Sequence, residues 1–185
     1  MRLLAASALM LFAVSAQADE PKPFDLKSKD GRFTVTFPSK PMETTQKVPL
    51  AGTDKEITVT NHVVEVGKGA AFIVAYNDYP EGVLAPEPQD TLKGVRDGNM
   101  GPNAKLGQDK EGTFGPNKLP MREITFTKNS KDEKGNDITL HFRNKLILDG
   151  TRLYQVMIVA DNAKTLTNDT AKTYYESFKL AKKRD

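Results

Sequence analysis

The sequence contains no cysteine and no tryptophan, and its only histidines are His62 and His141. Without cysteine there is no thiol nucleophile, no thiolate metal site and no dithiol redox pair. Without tryptophan the chain lacks the stacking platform that sugar-binding sites commonly use. Neither histidine stands in H-E-x-x-H or another metal-ligand spacing. Charge of one sign is also scarce: 27 Lys and Arg against 24 Asp and Glu give a net charge of +3. That excess is too small and too dispersed for a nucleic-acid binder, which needs a concentrated basic face. The closing "KLAKKRD" is basic, but cations at a chain end read as a solvated tail, here 181–185.

Catalytic chemistry finds little to use. The serines beyond the first segment are Ser28, Ser39, Ser130 and Ser177, and none lies in a G-x-S-x-G elbow. A serine nucleophile also needs a histidine base oriented by a carboxylate. Two carboxylate-rich stretches invite a calcium reading. In the first, Asp78, Glu81, Glu87 and Asp90 are interrupted by Tyr79, Pro80 and Pro86, unlike the alternate-position ligands of a calcium loop. In the second, "KNSKDEKGND" at 128–137, Asp132, Glu133 and Asp137 lie among lysines, as in a solvated hairpin loop. No cofactor and no metal are expected, and the chain reads as a non-enzyme. An unrecognised hydrolase remains a third reading, since any two carboxylates can meet in space.

The one long apolar run comes first. "MRLLAASALMLFAVSAQADE" has a positive Arg2, an apolar stretch from Leu3 to Val14, and small residues at Ala16 and Ala18. This is a secretory signal over 1–18, cleaved after Ala18, too short to match the roughly 20 residues of a membrane span. A periplasmic or secreted location follows as an expectation. The polar, proline-bearing 19–31 is expected to be a flexible lead-in, and 32–180 a single domain.

Within that domain, period-two alternation predicts strands. "RFTVTFP" sets Phe33, Val35 and Phe37 against Thr34 and Thr36, and "METTQKV" follows as a short second strand. "EITVTNHVVEV" places Ile57, Val59 and Val63 opposite Thr58, Thr60 and His62. "AAFIVAY" is apolar on both faces, which predicts a central strand covered on both sides. Pro88 and Asp90 suit the first turn of a helix carrying Leu92 and Val95, ended by Gly98 and the Gly101-Pro102 pair. Four strands are then expected near 104–114, 119–128, 137–148 and 151–160. In the third, Ile138, Leu140, Phe142, Leu146 and Leu148 oppose Thr139, His141, Arg143 and Lys145. Asp149-Gly150 is expected to turn a two-residue hairpin into "TRLYQVMIVA". "TLTNDTAKTYYESFKL" predicts a final helix, with Ala171, Tyr174, Tyr175 and Phe178 as its core stripe and Thr167, Asn168 or Asp169 as its cap. The sum is an α+β domain: an antiparallel sheet of about six to eight strands covered by helices.

"FTVTFPSKP", "FIVAYNDYP" and "LILDGTRLYQVMIV…SFKL" resemble extracytoplasmic domains of the PsbP/Mog1-like fold. The resemblance covers nearly all of the chain after the signal and rests on pattern and spacing, not on a catalytic signature. It implies an α/β/α sandwich, and members that are generally binding or assembly factors. The expected function is therefore an exported accessory module that presents a surface to a protein partner in the cell envelope. The alternative is a small-ligand or cation-binding protein using 77–99. The stretch "AYNDYPEGVLAPEPQ" leaves the end of a central strand, where loops are well placed to hold a site. Asp78, Tyr79, Arg96 and Asp97 are accordingly the candidate ligand-binding residues.

Overall fold

The computed structural model describes residues 22–50, 53–67, 69–132 and 134–181. The expected signal at 1–18, the start of the lead-in and nearly all of the basic tail lie outside the described residues. The elements are β1 Phe24–Ser28, β2 Phe33–Phe37, β3 Met42–Pro49, β4 Glu56–Val66 and β5 Ala70–Asp78. Next come helix α1 Pro88–Met100, β6 Lys105–Phe114, β7 Leu119–Lys131, β8 Asp137–Asp149 and β9 Arg152–Ala160. A 3-10 turn, Ala163–Thr167, leads into helix α2 Asp169–Ser177 and the short β10 Lys179–Leu180.

Seven strands form one antiparallel sheet in the order β3-β4-β5-β9-β8-β7-β6, and β1-β2-β10 form a second. The protein is thus an α+β domain. β5 and β9, the two strands apolar on both faces, lie side by side within the large sheet, where both faces must be covered. Consecutive residues feed different cores. Ile147, Tyr154, Val156 and Ile158 pack with Phe72, Val74, the β2 phenylalanines and the α2 stripe. Leu146, Leu148 and Leu153 pack with Ile124, Phe126 and Leu92 of α1 on the other face.

Each helix is fixed by specific contacts. Asn168 caps α2 by accepting from Ala171 N at 2.8 Å, and Tyr174, fully buried, donates its hydroxyl to Ile73 O at 2.7 Å. Pro88 opens α1 and Asp90 sits in its first turn, where the helix dipole favours an anion. α1 packs across a polar seam. Lys128 Nζ donates to Asn99 O at 2.6 Å, placing a cation from β7 at the helix's C-terminal end. Asn99 and Asn144 both donate to Gln155 Oε1, at 2.7 and 3.1 Å. Among the described residues Asn144 Oδ1 has no hydrogen-bond partner.

Several expectations are corrected. Residues 24–28, assigned to a flexible lead-in, form β1, because Phe24 and Leu26 face inward when the strand registers on β2. Asp149 pairs directly with Arg152, so the hairpin loop is Gly150-Thr151 and only Gly150 has positive φ, at 63°. α1 runs through Gly98 to Met100 and ends at Gly101, whose φ is 64°. The C-terminal helical stretch divides into the 3-10 turn and α2. His62, expected on the threonine face of its strand, is 2% exposed, because the small sheet lays Phe33 over it with ring centroids 5.5 Å apart.

Candidate functional site

One open part of the large sheet is the β6–β8 end, on the face shared with α2. Alternation sends Thr125 and Thr127 of β7, and His141, Arg143 and Lys145 of β8, toward that face, and each is only half-buried. The 3-10 turn supplies the opposite wall with Ala163, Leu166 and Thr167. With Thr125, Thr127, His141 and Arg143 they bound a groove of about 530 Å³. A second hollow of about 300 Å³ follows the same face toward α2, lined by Phe114, Arg143, Lys145, Lys172, Tyr175 and Glu176 among others. Arg143 is common to both.

β6 borders the groove through a bulge at Leu106/Gln108. Gly107 occupies it because a Cβ there would lie 2.8 Å from Thr125 Oγ1 and 3.3 Å from the Thr125 carbonyl. The bulge lets Gln108 N donate to Thr125 Oγ1 at 2.8 Å.

Arg143 is held on three sides. Its Nε and Nη2 donate to Glu123 Oε1 at 2.8 and 2.7 Å, and its Nη1 donates to Leu166 O at 3.3 Å. Its guanidinium carbon sits 4.4 Å from the Tyr175 ring centroid, and the Tyr175 hydroxyl donates to the Arg143 carbonyl. Burial raises the Tyr175 phenol well above its usual range, so it stays a donor. Lys145 Nζ stands 5.1 Å from the Tyr175 ring and 5.8 Å from the Phe114 ring. Among the described residues it forms no ion pair within 4 Å. Burial lowers its pKa, Arg143 adds to that, and Glu123 and Glu176 oppose it. A partly desolvated ammonium on an aromatic floor is suited to an incoming anion, which restores the pairing that solvent no longer supplies in full.

The four residues favoured from sequence lie elsewhere and fall into two groups. Asp78 accepts from Arg152 Nε at 2.7 Å and is also paired with Arg152 Nη2. That hydrogen bond, more than the charge attraction, holds the Asp78 carboxyl below its ordinary value. Arg152 in turn donates to Asp30 O at 2.6 Å, tying the β5–β9 end to the β1–β2 turn. Tyr79 packs on the α1-side core, and burial pushes its phenol up. Arg96 pairs with Asp97 at 2.6 Å and with Asp109, which also accepts from Arg122 at 2.6 and 2.8 Å. Arg122 reaches on to Glu111 at 2.8 Å, so this cluster clamps α1 onto β6 and β7. Among the described residues no hydrogen bond or ion pair joins the Asp78 group to the Arg96 group.

Sequence reasoning passed over Glu123, Lys145 and Tyr175. The alternation of Thr139, His141, Arg143 and Lys145 was the available signal, and its face is the groove wall. Among the described residues, no three of His, Asp and Glu gather in an arrangement that could hold a metal ion, and no helix is long and apolar enough to cross a membrane. Fold and site together define an α+β domain with an open, charged sheet face. No family model matches the sequence, and no curated protein matches it.

Proposed function

We propose that the protein is an exported, non-enzymatic accessory module of PsbP/Mog1-like type, which engages a protein partner in the cell envelope through the β6–β8 groove. The observation that carries this reading is the groove itself. The clamped Arg143 joins it to the neighbouring hollow, where Lys145, with no ion pair among the described residues, lies against the Tyr175 and Phe114 rings. Rigid polar groups of this kind suit a polypeptide segment laid across strands, with the ring faces taking apolar contacts and the cations taking acidic ones. The signal pattern at 1–18 supports export to the periplasm or beyond, and the resemblance supports the accessory role.

The test is affinity capture from envelope extracts, with Lys145→Glu compared against the unaltered chain. A specific protein captured by the unaltered chain and lost with Lys145→Glu, at unchanged circular dichroism, is the expected outcome. Capture equally strong with the charge reversed would overturn the groove as the contact surface. A chain that crosslinks to nothing in the extract would overturn the accessory role.

A further inference from the structure

The two edges of the large sheet are built differently. β6 carries the Gly107 bulge and the charges Lys105, Asp109, Lys110 and Glu111, devices that discourage pairing with another strand. β3 has no bulge. Its register on β4 is continuous from Met42↔Val63 to Pro49↔Glu56, and among the described residues nothing pairs with its outer side. The strand is exposed almost throughout, and Met42 is 56% exposed. Among the described residues Glu43 and Lys47 make only loose ion-pair contacts, 3.5 Å to His62 and 3.8 Å to Glu56.

The segment "PMETTQKVP" is self-complementary. Two copies paired antiparallel about an axis at Thr45 set Thr45 against Thr45, Thr44 against Gln46, Glu43 against Lys47 and Met42 against Val48. Each opposite charge thus meets its counterpart twice, once on either side of the axis, and the exposed methionine meets an apolar residue. Pro41 and Pro49 fall opposite each other and end the ladder, since neither can donate to it. The pleat restricts the alternatives, because residues directly opposed must point to the same face. Axes at Thr44 or Gln46 are the neighbouring choices, and they leave Glu43 facing Thr45 or Pro49.

We propose that β3 pairs with β3 of a second copy of this chain about a two-fold axis at Thr45, joining two seven-stranded sheets into one. The contact is isologous, so it closes as a dimer and does not propagate. The β6–β8 groove lies at the far edge of each sheet and stays open, so the proposal stands apart from the partner proposed above.

Cysteine scanning tests it directly, because the chain has no cysteine and any disulfide formed must be intermolecular. Opposed residues in an antiparallel pair have Cα atoms about 4.5–5.5 Å apart, within reach of a disulfide. Thr45→Cys should therefore crosslink on mild oxidation, whereas Gln46→Cys, which faces Thr44, should crosslink little. Sedimentation should give a dimer mass for the unaltered chain. Lys47→Glu should weaken that dimer roughly tenfold by opposing like charges twice, and the double variant E43K/K47E should recover it. A monomer at the highest concentration reached, or equal crosslinking by the two cysteine variants, overturns the proposal. If the charge variants melt early, the cysteine pair still decides.

Discussion

His62 is the residue whose chemistry departs furthest from its surroundings. It is buried between Phe33 and Tyr76; among the described residues Nε2 has no hydrogen-bond partner, and Nδ1 approaches a carboxylate, Glu43 Oε2 at 3.5 Å. Burial lowers its pKa below 6.5, and the exposed Glu43 offsets this only in part. The unfolded chain therefore takes up a proton before the folded chain does as pH falls. Stability is full above about 6.5 and is lost as pH drops from there toward the lower folded pKa. Urea denaturation at pH 8 and at pH 5.5 should show the loss, and His62→Gln should remove most of it. An unchanged pH dependence in that variant would place the titrating group elsewhere. The carboxylates held low by arginine, Asp78 and Asp109, add a further loss only below the usual carboxylate range.

At the scale of elements, α2 is nine residues long and too short to persist alone. Its N-cap and its tyrosines hold it. Asn168→Ala should cost about 1 kcal/mol, read as a lower urea midpoint at unchanged slope. Asn168 was among the caps legible in the sequence, as was the central strand β5, apolar on both faces. These signals are local: alternation, a proline at a first helical turn, an Asx before an apolar stripe. What stayed hidden depends on pairing. β1 has only Phe24 and Leu26 to mark it, and it becomes a strand because β2 offers a ladder. The hairpin turn moved by one residue because Asp149 extends the β8–β9 register. The groove follows the same rule. His141 and Arg143 could be placed on one face of β8 from sequence. Glu123 reaches Arg143 through the β7–β8 register, and Tyr175 arrives from a helix 32 residues away in sequence. Asp78, Arg96 and Asp97 stand near one another in sequence, but folding uses them to join elements.

For the whole molecule, the two cores are not separable. Leu146 and Ile147, and Leu153 and Tyr154, are sequence neighbours that serve opposite faces of the same two strands. Loosening one core therefore moves the backbone of the other. Near-ultraviolet dichroism, arising largely from Tyr154, Tyr174 and Tyr175 in a tryptophan-free chain, should melt together with the far-ultraviolet signal in a single transition. Two resolved transitions would mean that the α1 side unfolds by itself. Refolding should also be slow for the chain's size, because β5 pairs with β9 across a long stretch of intervening sequence.

The three-stranded sheet has a mechanical consequence. β2 holds β1 along one edge and β10 along the other, with Phe24 opposite Phe37 and Leu180 opposite Phe33. The preceding chain thus leaves at one end of β2 and the following chain leaves at the other end. Tension applied between the two chain ends pulls β1 and β10 in opposite directions along β2. The hydrogen bonds are then loaded together in shear and are not peeled one at a time, so the small sheet acts as a clasp against stretching.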